Sequence, residues 1–284
     1  MLTELMSTLR KQRGQIIGWG LSLAALGLML VPFYKSMFSD SAQLLELLES
    51  YPEEFIAFFG DLTSMNTPQG FLGIEFFSYM PLLLGIFAAL VGSGLIVTDE
   101  ESGRLDLIAS HPISRGGFFL SRMLAFVITV IAICALGWLG MVIPLGSSGM
   151  DITPYQLVLP FIPVLTLVLL YGSFALLLSL LLPSRRLAAS MTGMLVVADF
   201  FVEGFSKVIT DLEPVAQSLP THYYQGGNAM DGLDPMPIIV LLGISLALCG
   251  LALWRYQRRD IRVGGEGGWG FRLLRKRIRA ESTT

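Results

Sequence analysis

Asp199 and Glu203 interrupt an otherwise apolar run from Leu187 to Ser206. Four residues apart, they share one face of a helix, and Lys207 continues it. At a rise of about 1.5 Å per residue, Asp199 lies roughly 18 Å beyond Leu187, past the middle of an apolar layer about 30 Å thick. Ionisable groups at such depth are costly against hydrocarbon and turn toward protein or water. The pair therefore has two readings. It is an acidic lining of a translocation path, favouring cationic or zwitterionic substrates, or an outer ladder closed by Glu203 and Lys207.

Other candidate chemistry is sparse. The chain has two histidines, His111 and His222, with no intramembrane carboxylate cluster to join them. That argues against a catalytic metal site. Cys134 and Cys249 fall inside apolar runs, where a thiol is an ordinary small side chain. No G-x-x-x-x-G-K-[ST] run is present to cradle nucleotide phosphates. Gly264, Gly265, Gly267, Gly268 and Gly270 lack the lysine and the preceding strand of such a loop, and read as a flexible linker. ATP and Mg, if used, belong to another chain; this one is expected to carry no cofactor and no metal.

These residues are positioned by apolar helices. Between Arg122 and Arg185 the one charged residue is Asp151, in a chain that is 53% hydrophobic. A bilayer span needs about 20 mostly apolar residues. The pattern gives six spans, at residues 15–34, 76–98, 118–145, 156–182, 187–207 and 236–255. The expected fold is an all-α polytopic membrane domain over residues 1–284. The first run is longer than a secretory h-region and lacks a small-x-small site, so it reads as a retained span. Pro154, Pro160 and Pro163 crowd the start of the fourth. A kinked helix and a loop entering the membrane near Phe161 both suit them. Gly85 with Ala89, Ala88 with Gly92, and Gly14 with Gly18 have the spacing of close helix contacts.

Charge sorts by side. With the amino terminus inside, seventeen of nineteen basic residues lie on the inner segments, and Lys35 and Lys207 alone lie outside. The positive-inside rule then puts both termini in the cytoplasm. Outer loops span 35–75, 146–155 and 208–235. In the first, leucines and aromatics from Ser41 to Asp61 alternate with glutamates, a pattern suited to interfacial helices. The basic tail, 256–284, mixes Trp269, Phe271, Leu273, Leu274 and Ile278 with arginines, and is expected on anionic lipid rather than nucleic acid.

The loop at 99–115 reads DEESGRLDLIASHPISR. Leu105, Ile108, Ala109 and Pro112 share a helical face. Pro112 disfavours a helical His111, and Ser114 is placed to cap the next helix. The result is a short helix, a sharp break and a helix returning to the membrane. The acidic pair, Gly103, Leu105 and Pro112-Ile113-Ser114-Arg115 resemble the permeases of type-2 ATP-binding-cassette (ABC) exporters. Further likeness lies in the amphipathic start (Leu2, Leu5, Met6, Leu9), similar to that family's interfacial helix, and in Tyr51-Pro52-Glu53-Glu54-Phe55, Thr67-Pro68-Gln69-Gly70-Phe71, Glu75-Phe76-Phe77-Ser78 and Arg258-Arg259-Asp260-Ile261. Arg104 stands where the family more often has Thr.

The resemblance implies a coupling helix after the second span that docks on a cytoplasmic ATPase. Its contact candidates are Glu100, Glu101, Gly103, Arg104, Leu105, Ile108, Ser110, Pro112 and Arg115. It also implies two ATPase subunits, a second permease half (identical or related), and export of an amphipathic or lipid-like substrate by alternating access in the cytoplasmic membrane. An ATP-independent channel or secondary transporter is the rival reading, and would need no docking elbow. An intramembrane enzyme is a weaker one: Glu100-Glu101 and Arg104 faintly resemble prenyl-protein proteases, but lack their histidines and spacing.

Overall fold

The computed structural model describes residues 1–37, 62–101 and 114–259. The described residues form helices and turns without a strand, and six helices are long and apolar enough to cross a bilayer. The all-α, six-span reading is borne out. The spanning helices are α1 (Leu2–Met37), α2 (Met80–Gly94), α3 (Arg115–Ser148), α4 (Phe161–Leu181), α5 (Arg185–Ser206) and α6 (Pro235–Arg258). Short helices at Pro68–Glu75 and Pro154–Val158 lead into α2 and α4. The interfacial pattern at Ser41 to Asp61 and the tail from 260 onward lie outside the described residues.

One expectation is corrected. The amphipathic start is not a separate interfacial helix, because α1 runs unbroken for 36 residues. At about 1.5 Å per residue that is roughly 54 Å, well beyond a bilayer core. Contacts with α3 hold the extension in place. Thr129 donates to Gln12 at 2.6 Å, Ser121 donates to the Met1 carbonyl at 3.3 Å, and Glu4 lies 3.8 Å from Arg122.

The proline-rich entry to the fourth span is an interrupted helix. Thr153 and Gln156 form a reciprocal capping box at the start of Pro154–Val158. The chain breaks at Leu159–Pro160 and resumes as α4. Pro163 falls in the first turn of α4, where an amide would lack a helical partner anyway. Trp138 of α3 secures the entry by donating to the Pro154 carbonyl at 3.0 Å. Ser114 caps α3 as its position suggests, accepting from Gly117 N at 3.1 Å.

Packing follows from side-chain size. α4 is the central helix, flanked by α2, α5 and α6, and α1 lies along α3. Where backbones touch, only glycine fits. A Cβ on Gly92 would meet the Gly172 carbonyl of α4 at 2.5 Å, and one on Gly140 would meet the Ala24 carbonyl of α1 at 2.3 Å. A Cβ on Gly14 or Gly18 would meet nothing within 4 Å, so they serve no close contact among the described residues. Phe76, Phe77, Phe87, Phe126, Phe161 and Tyr171 fill the space between helices. Phe77 meets Phe161 edge-on at 5.3 Å between ring centres. The outward faces of α1, α5 and α6 carry Leu21, Met194 and Leu246 among their exposed side chains.

Candidate functional site

The densest polar chemistry lies at the end of the bundle where the second span finishes, here called the basic end. The short helix Val97–Glu101 finishes in Asp99, Glu100 and Glu101. Successive helical residues point about 100° apart, so three consecutive acids address three directions. Asp99 receives the Lys11 ammonium of α1 at 3.1 Å and an Arg122 guanidinium hydrogen bond from α3. Glu100 receives Arg259, just past α6, at 2.6 Å. Glu101 accepts from the Arg185 backbone amide at 3.2 Å. That amide opens α5, where it has no partner within its own helix.

The arginines reach further. Arg259 also donates to the Leu180 carbonyl at the end of α4, at 3.3 Å. Arg185 donates to the Leu90 carbonyl of α2 at 3.2 Å. Arg115 donates to the Gln257 and Arg259 carbonyls at 3.4 and 2.9 Å. Cations at helix carboxyl ends satisfy orphan carbonyls and suit the helix dipole. Arg122 also lies 4.7 Å above the Phe118 ring. Asp99, Glu100, Arg122 and Arg259 are at most 8% exposed. Charges so enclosed are tolerable because each is paired and hydrogen-bonded.

Of the docking candidates, the structure therefore places Glu100 inside the bundle on Arg259, Glu101 at the start of α5, and Arg115 on the end of α6. Gly103, Arg104, Leu105, Ile108, Ser110 and Pro112 lie outside the described residues. The sequence reading missed Lys11, Asp99, Arg122 and Arg259. Asp99 and Arg122 had the signal of charges directly bounding apolar runs, Lys11 lay in the basic cluster before the first run, and Arg259 stood in a motif quoted only for resemblance.

At the opposite, far end, Asp199 is fully buried. It accepts a hydrogen bond from the Tyr171 hydroxyl of α4 and is approached by Thr221 N at 3.2 and 3.3 Å. The Tyr171 and Thr221 hydroxyls are 3.0 Å apart. Asp199 thus fastens the turn Pro220–Tyr223 onto α4 and α5. Glu203 does share its face, but the Glu203–Lys207 pair expected from spacing is not formed. His222 Nδ1 stands 3.5 Å from Glu203, whose side chain is 22% exposed. Nearby, Tyr224 donates to the Phe77 carbonyl at 2.9 Å, tying the same segment to the entry of α2.

Among the described residues no group of three or more His, Cys, Asp or Glu is placed to hold a metal ion. One end has a buried charge network joining helices, and the other a buried carboxylate clamping a loop.

The family described as multidrug efflux system permease Rv1217c, C-terminal domain, matches residues 4–257. None of the curated proteins compared matches the chain. The family match reaches into all six helices and takes in the polar residues at both ends apart from Arg259, and it agrees with a bundle built of membrane-length helices: the chain belongs to this efflux-permease family and is an ABC-type, multi-pass permease subunit.

Proposed function

We propose that the chain is the membrane half of an ATP-driven exporter, with ATP bound and hydrolysed on a separate cytoplasmic subunit. The observation that carries this reading is the family match over residues 4–257. Two permease halves and two ATPase subunits would form the working unit in the cytoplasmic membrane, with the basic end facing the cytoplasm. The charge asymmetry supports that orientation. The cargo is a hydrophobic or amphipathic molecule, in keeping with the family description and the apolar helices. The loop at 99–115 holds the docking segment, an elbow following Glu101 with Leu105 and Ile108 as its apolar contacts. Glu100 acts from within the bundle, since its carboxylate is engaged by Arg259.

Leu105→Asp puts a charge on the proposed docking face and leaves the sequence of the described helices unchanged. The mutant protein should reach the membrane and melt normally, yet lose at least tenfold in ATPase co-purification and in transport. Unchanged association together with unchanged transport would remove the docking role. A channel or secondary transporter would show substrate movement without any Walker-motif partner.

A further inference from the structure

We propose that Asp99, Glu100 and Glu101 form a distribution hub, through which a push on the elbow reaches the basic ends of the five other spans at once. The idea rests on the exporter reading above and deepens it. It makes Lys11, Arg122 and Arg259 positioning residues of transport.

The geometry is specific. Asp99 holds α1 through Lys11 and α3 through Arg122. Glu100 holds the end of α6 through Arg259, and the same guanidinium reaches the Leu180 carbonyl of α4. Glu101 holds the first amide of α5. Arg115 then closes the circuit from the start of α3 to the end of α6. Every span other than the second is thus tied, directly or through one arginine, to three consecutive residues at the second span's end. Those residues immediately precede the elbow. A displacement there moves Asp99 and Glu100, whose partners Arg122 and Arg259 are buried, so those arginines must follow or be left as unpaired charges, while the Lys11 and Glu101 ties are more exposed and follow more loosely. Packed helices transmit such displacement because close-packed interiors deform little. A set of solvated surface pairs would not behave this way, being weak and easily exchanged for water.

The hub is separable from a docking contact by charge reversal. If Glu100 acted by touching an ATPase, then reversing both Glu100 and Arg259 would leave that contact wrong. If it acts through Arg259, the reversal restores the pair. The experiment uses the full permease–ATPase complex in proteoliposomes and reads substrate moved per ATP hydrolysed, with a fluorescent amphipathic cation as cargo. Glu100→Gln should lower this ratio at least fivefold, as should Arg259→Glu. Glu100→Arg combined with Arg259→Glu should recover at least half of it. Lys11→Gln, at the more exposed edge of the network, should lower it about twofold and guards against misfolding of the buried variants.

An unchanged ratio in Glu100→Gln, or in Lys11→Gln where the buried variants are not recovered, would overturn the hub. So would folded single variants with no recovery in the reversal. Those outcomes leave the exporter reading intact. A wild-type chain that moves cargo without any associated ATPase would instead retire the exporter reading and the hub with it.

Discussion

At the residue scale, Asp199 and Glu203 lie on one helix face in two different settings. Both were candidates for an acidic lining, by spacing and depth alone. Asp199 is enclosed and occupied by two donors, Tyr171 and Thr221, whereas Glu203 retains an exposed edge beside His222. Their variants should therefore separate. Asp199→Asn keeps the shape but loses the charge that strengthens both hydrogen bonds, and should cost about 1–3 kcal/mol of stability. This is measurable as earlier thermal unfolding in detergent. Glu203→Gln should leave stability within about 0.5 kcal/mol. If Glu203 meets cargo, the same variant should lower transport of cations relative to neutral molecules. Equal transport of both classes in Glu203→Gln would remove the lining role, and normal melting of Asp199→Asn would remove the clamp.

At the element scale, small residues matter only where backbones meet. The spacing of Gly14 and Gly18 is the same as that of packing pairs elsewhere, yet a Cβ at either would meet no neighbour among the described residues. Gly140 carries the α1–α3 contact, against Ala24. Gly140→Val must push the two helices apart, and overpacking of this kind should cost about 3 kcal/mol. Gly18→Val should change stability by less than about 0.5 kcal/mol. Thermal melts of the two variants side by side decide the matter, and a stable Gly140→Val would show that the α1–α3 contact is looser than drawn. The long α1 belongs to the same scale. Its amphipathic first turns suggested a separate interfacial helix, but Gln12 and Glu4 meet Thr129 and Arg122 and continue the helix against α3.

At the scale of the whole molecule, the two ends of the bundle differ in chemistry. The basic end gathers Lys11, Arg115, Arg122, Arg185 and Arg259 onto acids and helix carboxyl ends. The far end holds the Asp199 clamp and the aromatic ties of Tyr34 and Tyr224. If the basic end faces the cytoplasm, Ser7→Cys and Ser282→Cys should resist an impermeant thiol reagent in intact cells, while Ser218→Cys should react. Outside labelling of Ser7→Cys would invert the proposed topology and move the elbow away from any cytoplasmic ATPase.

The number and type of the spans were legible in the sequence because they depend on composition summed over about 20 residues, and the bilayer requirement is indifferent to neighbours. The cap at Ser114 was legible too, since capping is settled within one helical turn. The docking residues of the elbow were read from resemblance, and the described helices bear on only Glu100, Glu101 and Arg115 among them. What tertiary structure alone decided is which partner each charge takes. Glu203 had Lys207 one turn away on its own helix, but meets His222 from the far loop. Glu100 seemed available to a partner protein until Arg259, 159 positions along the chain, was found beside it. A buried charge takes the nearest compensating group in space, and the helix packing that brings that group near is set by contacts between distant segments.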